Sequence, residues 1–142
     1  MRALKSIMSL AAFIAGAAVA VGYCETHPTV EEELKSSAVV VVGKVISTKN
    51  LPEPGGFIRG TFYWVKVAQV LKGNPSESVE LYSENSSGRF RMQVGVRYLI
   101  FAYHGVFEGI DGRRLAIDSC GNSAPFSKAG KALATLNSLA KD

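Results

Sequence analysis

Ala38-Val39-Val40-Val41-Val42-Gly43-Lys44-Val45-Ile46-Ser47 is the stretch that decides the fold. β-Branched side chains fill it, and no charge interrupts it before Lys44. Four consecutive valines lose χ1 freedom in a helix, whereas a pleated strand accommodates them. The stretch therefore reads as a strand whose first half is apolar on both faces. A strand buried on both sides needs a closed barrel or a covering helix. Gly43 in its middle reads as a sharp bend of the kind a barrel requires.

Immediately upstream, Thr29-Val30-Glu31-Glu32 reads as a capping box, with Thr29 at the N-cap and Glu32 three residues on. Glu31, Glu32 and Glu33 all favour the positive end of a helix dipole. Val30 and Leu34 lie four apart on one face, so a helix of about two turns should end near Ser36. The three glutamates could converge on a metal only if neighbouring helix positions pointed the same way, which they do not. They read as a solvated face.

Residues 1–20 read as a signal peptide. Arg2 and Lys5 make a positive start, Ile7 to Ala20 carries no charge, and Ala18-Val19-Ala20 has the small-x-small form of a cleavage site. The apolar run is shorter than the roughly 20 residues a spanning helix needs. Tyr23 precedes Cys24 where a lipoprotein signal would place a small residue. Cleavage after Ala20 leaves residues 21–142 as one domain, exported to the periplasm or the medium, with no transmembrane segment. It also removes two cations, so the formal charge falls from +4 to +2. A charge of that size, spread along the chain, gives no argument for nucleic acid.

Cys24 and Cys120 are the only cysteines. In an exported chain two cysteines most often form one disulfide; the alternative is a pair of free thiols.

Downstream, Leu51 to Gly56 is a loop by composition. From Gly60 to Leu71, Tyr63, Val65 and Val67 alternate with Trp64, Lys66 and Ala68. Val70 then falls out of phase, which predicts a β-bulge near Ala68-Gln69. Val79 and Leu81 mark a short third strand, and Arg97 to Tyr103 a fourth that is apolar on both faces. Asp111-Gly112 signals a tight hairpin, with Arg114 to Cys120 returning as the fifth strand. A C-terminal helix capped by Ser127 carries the stripe Ala129, Ala132, Leu133, Leu136 and Ala140. The pattern predicts a mainly β chain: a five-stranded Greek-key OB-type barrel with a short N-terminal helix and a C-terminal helix.

Chemistry-bearing residues are sparse. His27 and His104 sit in no metal-ligand spacing, and no hydrolase, phosphate-binding or dinucleotide motif is present. An enzyme would have to use Cys24 or His104; the expectation is no catalytic residue, no metal and no cofactor. Tyr63, Trp64, Phe101 and Tyr103 could stack on single-stranded nucleic acid, but they read better as core aromatics. Asn85-Ser86-Ser87 matches a glycosylation sequon.

Four segments carry a resemblance. Ser37 to Val45 is similar to the pattern A-[VFA]-V-G-[KR]-V. Val67-Ala68-Gln69-Val70-Leu71-Lys72-Gly73 is similar to V-x-x-V-[LYF]-K-G. Val94 to Phe101 is similar to x-G-x-x-Y-L-[IVL]-F, and Ser119-Cys120-Gly121-Asn122-Ser123-Ala124-Pro125 is the fourth. In order and spacing they resemble the netrin-like domain, the barrel of the tissue inhibitors of metalloproteinases and of short secreted bacterial relatives. The resemblance implies an OB-type barrel and a Cys24–Cys120 bridge. It also raises protease inhibition, which in that family works through a C-x-C terminus whose first cysteine chelates zinc. Here Gly22-Tyr23-Cys24 stands in that place, and the missing cysteine's partner would fall near Ser87. The expectation is thus a non-enzymatic module that binds a protein outside the cytoplasm, a protease being one candidate. Its edge would be Val21, Gly22, Tyr23, Cys24 and Glu25 together with Ser86, Ser87 and Gly88. The alternative is a metalloprotease inhibitor acting through Val21–Glu25.

Overall fold

The computed structural model describes residues 24–142. The expected signal peptide and cleavage site, and Val21, Gly22 and Tyr23 of the expected edge, lie outside the described residues. The chain runs through α1 (Val30–Ser36), β1 (Val39–Pro52), β2 (Ile58–Lys72), β3 (Ser78–Glu84), β4 (Arg97–Gly105), β5 (Arg114–Ala116), β6 (Ala124–Pro125), a 3-10 turn (Phe126–Lys128) and α2 (Gly130–Leu139). It is mainly β, with one helix near each end of the described chain.

The strand order is β1-β2-β3-β5-β4-β6, and β1 pairs with β4 as well. Pairings therefore pass round β1, β2, β3, β5 and β4 and return to β1. The ring is thin at one seam: β3 meets β5 through the single parallel pair Tyr82↔Ala116. The sheet has six strands where the sequence predicts five, because the short β6 adds to β4, and the ring of pairings is not a clear closed barrel.

Two-sided burial of β1 has the two expected causes together. Val39, Val41 and Val45 face inward onto Tyr63, Val65, Leu81, Ile100 and Ile117. Val40 and Val42 face outward onto Leu99, Phe101, Ala129 and Leu136, with Val30 and Leu34 of α1 alongside. Far strands cover one face and helices cover the other, so valine is tolerated at every position. From Lys44 on, helical cover ends and the outward positions become exposed.

Where β1 meets β2 the register runs Val42↔Gln69 and then Gly43↔Val67, which skips Ala68. This is the bulge that the phase change predicts. Gly43 stands at that step, and a Cβ there would press on Val65 and lie 2.9 Å from the Lys66 carbonyl oxygen. Glycine is required here because two backbones approach closely. The capping box of α1 also forms as read: Glu32 N–H donates to Thr29 Oγ1 at 3.2 Å and Thr29 N–H donates to Glu32 Oε2 at 2.8 Å.

Five local expectations need correction. Leu51 and Pro52 belong to β1, because the ladder with β2 runs on to Pro52↔Ile58 before the chain turns. Asp111-Gly112 is not a two-residue turn: β4 and β5 last pair at Gly105↔Arg114, and Phe107 closes a separate turn by accepting from Ile110 N–H at 3.2 Å. The fifth strand stops at Ala116 rather than Cys120, since Ile117 N–H donates to Tyr82 and Ser119 N–H to Gly88, drawing the chain away from β4. Ser127 does not cap α2. It lies inside the 3-10 turn, and Ala129 occupies the N-cap without a side-chain bond. Of the apolar stripe, Ala129, Ala132, Leu133 and Leu136 pack on the sheet, whereas Ala140 is exposed beyond the last turn.

Candidate functional site: the edge around the disulfide

Cys24 and Cys120 are bonded, with Cα atoms 5.5 Å apart across a sequence separation of 96. No free cysteine remains among the described residues, so a thiolate nucleophile at Cys24 is unavailable in this state. The bridge fixes the segment entering α1 to the chain leaving β5. In the chain-entropy picture a loop of that length contributes about 4–5 kcal/mol, a model-dependent figure.

The loop after β3 lies against this bridge. A Cβ added at Gly88 would lie 3.8 Å from Cys120 Sγ and from the Asp118 Cβ, so the glycine's open side faces the bridge. Its carbonyl accepts from Ser119 N–H at 2.8 Å, and Arg89 pairs with Asp118 as an isolated bridge. The structure therefore brings Cys24 and Gly88 to the same place, although 64 positions separate them in the sequence. Glu25, Ser86 and Ser87 are exposed beside them.

Polar side chains hold the loop in shape. Arg89 Nη1 donates to Asn85 Oδ1 and Nη2 to Thr61 Oγ1, both at 3.1 Å. Asn85 Nδ2 donates to the Ile58 carbonyl at 2.9 Å. The sequon asparagine thus has both ends of its amide engaged, and a glycan there would displace the Ile58 bond. Ser86 Oγ accepts from Gly88 N–H at 3.2 Å.

Two clefts flank the loop. One, of about 220 Å³, is lined by Thr26, Glu33, Ser37, Tyr103, Asp118 and Cys120. The other, of about 320 Å³, is lined by Glu53, Phe57, Arg59, Glu84, Ser86 and Glu108. Arg59 crosses the second, with Nε 3.1 Å from Glu53 Oε1 and Nη1 donating to the Glu108 carbonyl at 2.7 Å.

Glu33 is the chemically unusual group of the first cleft. Its Oε2 accepts from Asn122 N–H at 2.6 Å and from Asn122 Nδ2 at 2.7 Å, and Nδ2 also donates to the Pro28 carbonyl at 3.0 Å. Burial pushes the carboxyl pKa above 4.5; the two Asn122 bonds oppose this and the Asp118 charge adds to it. Gly121 is glycine because a Cβ there would run into that carboxylate. Burial, then Asp118, push the Tyr103 hydroxyl up to about 12, so it stays protonated at neutral pH. Sequence reasoning named Glu33 only as a solvated acidic position. Its partner lies 89 residues away, and the one visible signal is Gly121-Asn122 directly after the bridged cysteine.

Among the described residues no three His, Cys, Asp or Glu side chains are grouped to hold a metal ion. His27 and His104 are both exposed and belong to different parts of the fold: His27 precedes α1, and His104 lies on β4 opposite Leu115. The four aromatics considered for stacking do not form one surface: Phe101 and Tyr103 line the first cleft together, and the other two lie elsewhere. Tyr63 lies in the inner core, Phe101 under the helices, Tyr103 half-buried two residues further along β4, and Trp64 beside Phe62 on β2. No helix among the described residues is long and apolar enough to cross a membrane. Comparison with protein-family models and with curated proteins finds no match.

Proposed function

We propose that this chain is an exported, non-enzymatic binding module with a netrin-like, OB-type barrel, and that it engages a protein through the edge around Cys24–Cys120. The observation that supports this reading is the Ser119 N–H bond to the Gly88 carbonyl beside the Cys24–Cys120 bridge, which joins segments distant in sequence into one ridge with Glu25, Ser86 and Ser87 exposed on it. The bridge and the Arg89 bonds hold that ridge in shape before any partner arrives. A preorganised edge pays less ordering entropy on binding. The leader-like first 20 residues and the disulfide support export.

Site-specific photo-crosslinking tests the proposal. A photoreactive residue at Ser87 or at Glu25 is expected to trap the same protein in the native secretion compartment. The same probe at Asn137, on the exposed side of α2, is expected to trap none. Adduct formation from Asn137 equal to that from Ser87, or none from either edge position, sinks the idea. A fluorogenic-peptide assay against zinc endopeptidases decides whether the partner is a protease. With Gly22 in place of a chelating cysteine, no inhibition at micromolar concentration is expected.

A further inference from the structure

Three cations stand in line on the outer face of the sheet, away from the ridge. Lys44 of β1 is directly opposite Lys66 of β2 and, on its other side, directly opposite Arg97 of β4. With strands about 4.8 Å apart, the row Lys66–Lys44–Arg97 is about 10 Å long. All three side chains are exposed. The ion pairs of the described residues are Lys35–Glu31, Arg59–Glu53 and Arg114–Glu80, so none of the row has a carboxylate partner. Like charges directly opposite each other are destabilising. Lysine on a strand is often explained as protection of an open edge. That explanation fails here, because β1 is paired on both sides at Lys44.

Apolar side chains frame the row. Arg97 lies over the ring of Phe126, 5.3 Å from its centroid, and Phe126 is 40% exposed. Ile46, the residue left unpaired where the β1–β2 register shifts, is 49% exposed. Val94 is 56% exposed at the turn before β4, whose Gly95 N–H donates to the Val45 carbonyl at 2.8 Å. Lys44, Gly95, Arg97 and Phe126 line one open depression between them.

We infer that this patch is a docking surface for an anionic phospholipid membrane. The row supplies the charge complement to acidic headgroups. Phe126, Ile46 and Val94 supply apolar side chains that enter the headgroup–acyl boundary. A soluble polyanion would satisfy the cations and leave the apolar frame in water; a membrane surface takes both. Docking there leaves the chain peripheral and complements the protein-binding ridge without depending on it.

The test is co-sedimentation of the full chain, processed by its host, with phosphatidylcholine vesicles that do or do not contain phosphatidylglycerol. Any contribution of residues 7–20 is common to all variants and cancels in their comparison. The expected result is binding to the anionic vesicles that disappears at ionic strength high enough to shorten the Debye length to about 3 Å. Each of Lys44→Gln, Lys66→Gln and Arg97→Gln is expected to weaken it about five-fold, the equivalent of about 1 kcal/mol. The triple variant should lose about 100-fold, and Ile46→Ser with Phe126→Ser should weaken binding further without altering its salt dependence. Circular dichroism melts confirm that each variant is folded. Three results overturn the inference: equal binding to neutral vesicles, anionic binding indifferent to the triple variant or to the apolar pair, and capture of dextran sulfate without capture of vesicles.

Discussion

Around Cys24–Cys120, polar groups are spent on one another. Glu33 takes two bonds from Asn122, Arg89 divides its donors between Asn85 and Thr61, and a covalent bridge ties the segments these residues stand on. Around Lys44 the opposite holds: three cations face each other with no acid between them. Both regions hang on β1 and its neighbours, so the contrast is one of side-chain chemistry on a common frame. Groups satisfied internally hold a shape, here the shape of the ridge. Groups left unsatisfied at an energetic cost wait for something outside the chain.

The largest expected effect removes the frame itself. Val41 lies in the inner core of a strand covered on both faces. Val41→Asp buries a carboxylate with no partner, and no cooperative melt is expected. A soluble variant with a sharp transition would show that the two regions do not depend on β1. Next comes Cys120→Ala, expected to cost about 2–5 kcal/mol in denaturant unfolding, the usual loss for a native bridge in a small secreted domain. It should weaken the ridge and leave vesicle binding by the folded protein unchanged. Loss of both at once would break the comparison.

Asn122→Ala sharpens it. The backbone bond to Glu33 stays, while the side-chain bonds to Glu33 and to Pro28 go. A hydrogen bond to a charged, half-buried group supports an expected cost of about 1–2 kcal/mol. Urea unfolding at neutral pH measures it, and a loss near zero would mean that the clamp does not hold α1.

Glu33 itself gives a pH signature. Its folded-state pKa is raised above 4.5, burial being the main cause. Folding then favours the protonated form, so this residue's stabilisation is complete below 4.5 and is lost as pH rises through the raised folded value. Other carboxylates titrate nearby, so the readout is the difference between the chain and Glu33→Gln. Relative to the variant, the chain should lose melting temperature as pH rises out of the acid range and then level off. A difference that grows in favour of the chain at neutral pH contradicts the assignment.

What could be read ahead of the structure depended on how local the signal was. The valine run, the phase slip at Val70 and the capping box at Thr29 are each written within a few residues, and each forms as read. The end of β5 was not legible, because it is set by acceptors on Tyr82 and Gly88, more than 30 residues upstream. Nor was the start of α2: Ser127 is a good cap by type, but the chain makes a 3-10 turn there first. At the ridge, Cys24, Cys120 and Ser86–Gly88 were visible, whereas the Glu33–Asn122 clamp was not. The cationic row needed the register of three strands. Lys44, Lys66 and Arg97 look unremarked in sequence, since each alone is an ordinary outward position on its strand.

The smallest effect tests the premise of that row. If Lys44 is held between two like charges at some cost, removing its charge should stabilise the fold. Lys44→Gln keeps most of the side chain's length and exposes no new apolar surface, so packing should not change. Charge pairs across strands are worth about 0.2–1 kcal/mol, and an exposed site belongs in the lower half of that range because water screens it. A gain of about 0.5 kcal/mol is expected at low salt, or roughly 2 °C in melting temperature for a chain of this size. Salt supplies the control. As ionic strength rises the Debye length falls below the spacing within the row, and the chain and the variant should converge. A variant that is less stable at low salt, or a difference indifferent to salt, would show that Lys44 is not under repulsion. The row would then be ordinary solvated cations, and the case for an anionic surface would rest on the vesicles alone.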